Sequence, residues 1–312
     1  VQTVSLTMVK NEQDIIEAFV RHNLRSIDHM FIADNLSTDG TLEILQALKA
    51  EGLPLTIDTD EDQALRQSHK MTTMYRKAFR QNDFDYVFLL DADEFLDLDR
   101  EEMISLRRAH GSGTAYYVKR VNYLYGGEVV DGRETSFFEL MSNRDTEPET
   151  DKSMIFHDAA KCRRFRIGNG NHHIRDWSQD DGPRVSVKPE REFALIRHFP
   201  IRSVAQYMRK GLLGWFAMQL RVPGANEPKS TVGSHWRTQY RLILEQDCNV
   251  GPEELIGNLY GDRYGARFGT RDPLTIDFEL KYEHLIRQQS LTTLIARMYE
   301  TTIEKMWSTV PS

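Results

Sequence analysis

The chain reads as an α/β protein: a doubly wound, mostly parallel sheet followed by a helical C-terminal extension. Three features point there. Short apolar or β-branched runs alternate with segments of 3.6-residue periodicity through the first hundred residues. One run, Tyr86–Leu90 (YVFLL), is continuously apolar, as a strand buried on both faces must be. Clusters of turn-forming polar residues mark the changes of period.

Taken in order, Thr3–Val9 (TVSLTMV) is rich in β-branched and apolar residues and is the first expected strand. Asn11-Glu12 breaks it. Gln13–Arg25 then repeats apolar residues at Ile15, Ile16, Phe19, Val20 and Leu24, which is helical spacing. Met30–Ala33 is the second strand and runs into Asp34-Asn35-Leu36-Ser37-Thr38-Asp39-Gly40, a series of turn and N-cap residues. Thr41–Lys49 is expected as a helix, Leu55–Ile57 as a strand and Gln63–Arg80 as a long helix. Tyr86–Leu90 stops abruptly at Asp91-Ala92-Asp93-Glu94. Open α/β sheets bind ligands beyond the carboxyl ends of their strands. The clusters at Asn11-Glu12, Asp34–Gly40 and Asp91–Glu94 are therefore expected to converge on one site.

After about residue 110 the character changes. Thr114–Tyr125 is a long aromatic β-type segment, and Asn169–His173 (NGNHH) and Asp176–Pro183 read as loops. Ser203 with Gln206 three residues on forms a capping box opening a helix that runs to about Arg221. Helical patterns return at Trp236–Gln246 and His284–Trp307. The boundary is placed at Pro223-Gly224: residues 1–222 as one nucleotide-binding and catalytic domain, 223–312 as a mainly helical extension.

Composition narrows the function. Among 312 residues, 40 Lys+Arg stand against 47 Asp+Glu, a formal net charge of −7. That balance argues against sequence-independent nucleic-acid binding, which rests on cations neutralising phosphates, but local basic stretches still suit a phosphate-bearing small molecule. Two cysteines, Cys162 and Cys248, are too few for a disulfide scaffold, and two free thiols are expected. The most apolar run, Leu212–Leu220, falls far short of the about 20 residues that span a bilayer. VQTVSLTMVK lacks the apolar stretch of a signal peptide, so a cytoplasmic location is expected, extending to the inner face of the membrane.

Asp91 and Asp93 are the sharpest chemical signal. Two aspartates two positions apart on an extended segment have Cα atoms about 6.5–7 Å apart and point their carboxylates the same way. Both can approach one hard divalent cation and leave positions open for phosphate oxygens. A glycosidase dyad would instead need carboxyls on opposite sides of the scissile bond. The loop from Asp34 to Thr41 suits a helix N-cap, and its Asp39 carboxylate and Gly40 also suit a nucleoside.

In order, MVKNE (Met8–Glu12), DNLSTDGT (Asp34–Thr41) and YVFLLDADEFL (Tyr86–Leu96) resemble family-2 glycosyltransferases with the Rossmann-like GT-A fold, in the branch whose metal motif reads DADEF. The resemblance is dense over residues 3–100. It continues loosely through NGNHH and through RHFPIRSVAQYMRK (Arg197–Lys210). It implies transfer of a sugar from a nucleotide-diphosphate-sugar, with Mn²⁺ or Mg²⁺ as cofactor and inversion at the anomeric carbon. The acceptor is then a glycan, lipid-linked or other hydroxyl in glycan or surface-polysaccharide synthesis, with peripheral membrane association a further expectation. Asp91 and Asp93, flanking Ala92, would hold the cation. Glu12 and Asp39 would contact the nucleoside, with Asp34 near it, and Val9 and Asn11 would shape the base pocket. Arg66 is a candidate for the diphosphate, as are Arg202, Arg209 and Lys210.

The resemblance also implies a downstream histidine on the metal. His172, His173 and His198 are the options, and His173, in its Gly-flanked loop, is preferred. The Glu-Asp dipeptide usual near the family's general base is missing. Asp181 is the nominal base, with Asp176, Asp180 and Glu139 as alternatives, and Trp177 is the better candidate for stacking on a sugar. A nucleotidyltransferase is disfavoured because Lys10-Asn11-Glu12, not a Gly-rich phosphate loop, follows the first strand. Intact Asp39, Asp91 and Asp93 oppose a non-catalytic carbohydrate-binding or assembly protein on a degenerate scaffold.

Overall fold

Strands whose successive side chains are buried on alternate faces need a layer on each side, and the first half of the chain supplies both. The computed structural model describes residues 2–81, 83–124, 138, 141–147, 150–176, 182–220, 234–261, 265–287, 290, 292–293 and 295–296. Its first elements are β1 (Thr3–Val9), α1 (Ile16–Asn23), β2 (His29–Asp34), α2 (Thr41–Ala50), β3 (Leu55–Thr59), α3 (Gln67–Gln81) and β4 (Tyr86–Leu89). β1 pairs in parallel with β2 and β4, and β2 with β3. On β4, Tyr86 and Phe88 enter the core packed under α1 and α2, and Val87 and Leu89 enter the core under α3. The parallel register brings the three polar clusters to one edge of the sheet.

The next elements are β5 (Glu94–Leu98), α4 (Arg100–His110), β6 (Thr114–Leu124), β7 (Asn143–Asp145), β8 (Lys152–Phe156), β9 (Phe165–Ile167), β10 (Ile174–Asp176), β11 (Ser186–Val187) and β12 (Ala194–His198). β8 inserts antiparallel between β4 and β6, which carries its first residue, Lys152, to the carboxyl edge of β4. β12 runs parallel to β6 and antiparallel to β5. The curled sheet thus has a parallel half and a mixed half. Sequence periodicity did not reveal β5 and α4. The signal for α4 was local: the Asp99 side chain accepts from Glu102 N at 3.0 Å, a helix N-cap.

Beyond β12 come α5 (Val204–Gln219), α6 (Ser234–Glu245), α7 (Pro252–Tyr260) and β13 (Phe268–Arg271). Ser203 Oγ accepts from Gln206 N at 3.1 Å, as the capping box predicts, while Gln206 Oε1 reaches back to Arg202 N at 3.2 Å. Trp215 stacks on Tyr240 between α5 and α6, so it packs rather than presenting a sugar platform. The strand order is β13-β7-β6-β8-β4-β1-β2-β3.

After β13 the chain returns to the first core. Leu274, Ile276, Phe278, Leu280, Tyr282 and Leu285 pack against the cluster that contains α1 and α2. Glu17 accepts from Lys281 N and Tyr282 N, both at 2.9 Å. Gln13 Oε1 accepts from Gly40 N at 2.8 Å and Arg287 N at 2.9 Å. The approach is so close that a Cβ at Gly40 would lie 2.2 Å from the Leu285 carbonyl oxygen. Pro223-Gly224 and most of the helical pattern over His284–Trp307 lie outside the described residues, and Glu283–Leu285 is a single 3-10 turn. Both cysteines are free thiols, Cys162 buried and Cys248 exposed. Among the described residues, no helix is long and apolar enough to cross a membrane.

Candidate active site

The loops after β1 and β2 brace each other. Asn11 adopts a left-handed backbone (φ 55°), which asparagine tolerates; its amide N donates to Ser37 Oγ at 2.9 Å and its Oδ1 accepts from Thr38 N at 2.7 Å. Leu36 is also left-handed (φ 54°), a conformation costing a branched residue about 1–2 kcal/mol. Ser37 N donates to Asp34 Oδ2 at 3.0 Å, which helps hold that turn. Val9 is buried at the end of β1, and its carbonyl accepts from Asn35 N at 2.8 Å. Asp39 lies inside the loop: its Oδ1 accepts from Thr41 N at 3.0 Å and from Thr41 Oγ1 at 2.5 Å, and Oδ2 from Gln13 N at 3.4 Å. Burial pushes both Asp34 and Asp39 above the usual carboxylate range. Asp34 Oδ1 is buried with no hydrogen-bond partner among the described residues.

At the end of β4 the chain turns instead of continuing extended. Glu94 N donates to Asp91 O at 3.1 Å, and Asp91 N donates to Glu94 Oε2 at 2.9 Å. Ala92 is buried in this turn. The two aspartates therefore engage different partners. Asp91 Oδ2 meets Lys152 Nζ at 2.5 Å, and its Oδ1 accepts from Asn171 Nδ2 at 3.1 Å and Gln67 Nε2 at 3.4 Å. Glu94 is fully buried and pairs with Lys152 at 3.0 Å and Arg120 at 3.4 Å. Burial alone would lower the Lys152 amine, but Asp91 and Glu94 overrule it and raise it.

Asp93 faces the start of α5. Its Oδ2 lies 2.7 Å from Lys210 Nζ and 3.9 Å from Arg202 Nη1, and its Oδ1 lies 3.5 Å from His198 Nε2. Burial pushes Asp93 upward, but Lys210, His198 and Arg202 outweigh it and hold the carboxyl well below the usual range. The other ring nitrogen of His198 is 2.6 Å from Asn122 Oδ1. Arg202, 1% exposed, donates to Glu12 Oε2, to Asp14 at 2.7 and 2.9 Å, and to the Phe199 carbonyl at 3.2 Å. The arrangement is a chain of alternating charge, Asp14 and Glu12, Arg202, Asp93, Lys210, buried at Arg202 and Asp93 and part-exposed at its ends.

Burial, only partly offset by Arg202 and Lys210, pushes Glu12 up to about 7 from 4.5. A carboxyl raised in the folded state binds its proton more tightly there than in the unfolded chain. Its contribution to stability is therefore complete below about 4.5 and is lost as pH rises through about 7. In thermal melts across that window, wild type is expected to lose several degrees relative to Glu12→Gln, at about 2–4 °C per kcal/mol for a domain of this size. Parallel curves for the two proteins would show that Glu12 titrates as an ordinary carboxyl.

The remaining expected residues engage other partners. His173 stands in van der Waals contact range of Gly168, whose added Cβ would meet its ring, and burial with Arg184 and Arg175 lowers it. His172 bonds the Asp151 carbonyl at 3.0 Å, and burial lowers it to about 4, so it is neutral at pH 7. Arg66 is exposed and 3.7 Å from Asp62. Asp176 pairs with Arg164 at 3.2 Å on β10. Asp180, Asp181, Glu139 and Trp177 lie outside the described residues. Among the described residues, no three His, Cys, Asp or Glu side chains gather as a ready metal cluster. Sequence reasoning missed Lys152, Gln67, Asn122 and Asn171, whose roles arise only from long-range pairing.

The family described as "Glycosyl transferase family 2" matches residues 6–166. Among solved structures, the chain is similar to S. aureus TarS 1-349 in complex with UDP, at 13% identity and TM-score 0.38, covering 79% of this chain and 71% of that one. It is similar also to the mannosyltransferase PcManGT from Pyrobaculum calidifontis in complex with GDP-Man and Mn²⁺. That likeness has 15% identity and TM-score 0.40, covering 99% of this chain and 88% of that one. No curated protein sequence matches.

Proposed function

Because the chain belongs to glycosyl transferase family 2, we propose that it is a metal-dependent, inverting transferase that moves a sugar from a nucleotide-diphosphate-sugar to a hydroxyl acceptor. The observation that carries this reading is the Asp93–His198 pair. His198 Nε2 faces Asp93 Oδ1 at 3.5 Å while its Nδ1 is engaged by Asn122. With Nδ1 held at Asn122 Oδ1, the ring points Nε2 at the Asp93 carboxylate, and a divalent cation taking the place of the Nε2 proton would be shared by one imidazole nitrogen and one carboxylate oxygen. One oxygen and one imidazole nitrogen, with the one-third-exposed Asp91 carboxylate on the same turn, fit a Mn²⁺ or Mg²⁺ ion that keeps positions open for phosphate. On this reading His198, rather than His173, is the histidine of the metal site.

Bound there, a divalent cation would neutralise the charge that develops on the departing nucleoside diphosphate. The protein's own groups do the rest. Lys210, whose amine is raised by Asp93 and Glu12 against the effect of burial, adds a fixed positive charge beside the leaving phosphates. Asp34 Oδ1, buried and unpartnered among the described residues, is the acceptor for a nucleoside N–H or hydroxyl, with Val9, Asn11, Glu12 and Asp39 the other residues assigned to the nucleoside. Arg66 stands ready for the diphosphate. The acceptor hydroxyl must yield its proton to a base, for which Asp181, Asp176 and Glu139 are the residues proposed from the sequence.

The test is a panel of UDP-, GDP-, CMP- and dTDP-sugars in thermal melts, each with Mn²⁺ and with EDTA. A ligand at a hundredfold excess over its Kd adds about 2.7 kcal/mol to native stability. One nucleotide class is expected to raise the Tm by several degrees only with metal. Shifts indifferent to EDTA, or none with any donor, would overturn the assignment.

A further inference from the structure

The chain carries an excess of seven acidic groups, yet beside Asp91 it builds a cleft of the opposite sign. This cleft, about 860 Å³, lies against the Asn169–His173 loop and is lined by Tyr117, Arg166, Arg175, Arg184 and Lys188, with Asp151 the one acidic residue of its lining among the described residues. Arg184 and Lys188 are exposed and form no ion pair with a described residue. Like charges gathered around a cavity repel one another and raise the local potential to several kT. Such a groove is matched by a ligand carrying several negative charges, and the phenol ring of Tyr117 offers a face on which a sugar can stack.

The groove reaches the proposed reaction centre through one loop. Asn171 Nδ2 donates to Asp91 Oδ1 at 3.1 Å, and Gln67 bridges Gly170 N at 2.9 Å and Asp91 Oδ1 at 3.4 Å. Strand order separates it from the nucleoside loops. Those follow β1 and β2, whereas the groove is built from β6, the start of β8, β9 and β11, across β4. His172 on its wall is held by the Asp151 carbonyl.

We infer that this groove receives the acceptor, and that the acceptor is a polyanionic glycan bearing phosphate or carboxylate groups along its length. The inference deepens the transferase reading and rests on it. Successive anionic groups engage Lys188, Arg184, Arg175 and Arg166, and the terminal hydroxyl is delivered past the Asn169–His173 loop toward Asp91.

Binding of three hexamers to the full chain tests this: an oligogalacturonate, an oligo(glycerol phosphate) and neutral maltohexaose, each at low and high salt. One anionic hexamer is expected to bind, weakened by salt, and the Arg184→Gln/Lys188→Gln variant to bind it about tenfold more weakly. The arm that binds identifies phosphate or carboxylate as the recognised group. Both substituted residues are exposed, so the variant should melt as wild type does, and its metal-dependent nucleotide-sugar shift should be intact. Maltohexaose binding as tightly as the anions, or undiminished anion binding by the variant, would overturn the inference. Loss of the nucleotide-sugar shift in the variant would assign the groove to the donor instead. A wild type that binds the anionic hexamer but no nucleotide sugar would refute the transferase reading and with it the acceptor role.

Discussion

Replacing Asp93 with Asn is expected to abolish metal-dependent nucleotide-sugar binding and to slow transfer by about 10³, the order seen when one preorganised electrostatic group is removed from a reaction centre. The amide keeps the shape of the side chain but not its charge. Lys210 at 2.7 Å, His198 at 3.5 Å and Arg202 at 3.9 Å then lose their shared counter-ion. Breaking a buried pair from one side costs about 3–5 kcal/mol. The lower end applies here because Lys210 is 29% exposed and Arg202 keeps its other carboxylates. The pH dependence has a defined sign. Asp93 is depressed in the folded state, so its contribution is present above the ordinary value of 3.8 and is lost as pH falls through the lowered one. Wild type and Asp93→Asn should thus differ most near neutrality and converge in strong acid. Adding Lys210→Met should recover part of the lost stability while leaving donor binding absent, which separates the structural part of the effect from the functional one. A single variant that keeps its Mn²⁺-dependent shift would refute the role of Asp93.

Arg202→Met should be the most destabilising of the single substitutions at this site. The guanidinium is 1% exposed and serves Glu12, Asp14 and the Phe199 carbonyl together. Methionine matches much of the volume, so the loss is electrostatic: two carboxylates, Glu12 at 14% and Asp14 at 30% exposure, lose the buried guanidinium between them. About 3–5 kcal/mol is expected, a large share of the 5–15 kcal/mol by which domains are typically stable. Urea denaturation at two pH values reads both size and cause. The penalty should grow as pH rises above about 7, where Glu12 ionises beside Arg202 in the wild type but, without that guanidinium, is pushed higher still in the variant. Near pH 5 Glu12 carries its proton in both, leaving Asp14 as the main unpaired charge. A penalty below about 1 kcal/mol, or one independent of pH, would mean that Arg202 is not the hub of this network.

The parallel half of the sheet could be read from the sequence because its causes are local. The YVFLL run of β4 can only be buried on both faces, and the polar clusters after β1, β2 and β4 follow from strand order. Family membership was carried by the same three clusters. The details at Asp91 and Asp93 were not local. An extended segment would have aimed both carboxylates together, but Glu94 folds back onto Asp91 N and makes a turn. Lys152 and Arg120 look like ordinary surface cations in the sequence. They are drawn inward because β8 runs antiparallel beside β4, a pairing no periodicity announces. Among the histidines that the resemblance offered, His173 was preferred for its Gly-flanked loop; only strand pairing, β12 against β5, reveals that His198 sits opposite Glu94, one residue from Asp93.

The return of residues 274–287 to α1 and α2 bears on how the chain is made. Glu17 must wait for Lys281, which lies 264 positions later, and at about 5–20 residues per second that is an interval of about 13–53 s during synthesis. Through it, the apolar face that Leu274, Phe278 and Leu285 will cover stands open while the nucleotide-side loops lack the brace from Arg287 to Gln13. The face built by α1 and α2 is therefore completed only by a segment synthesised much later.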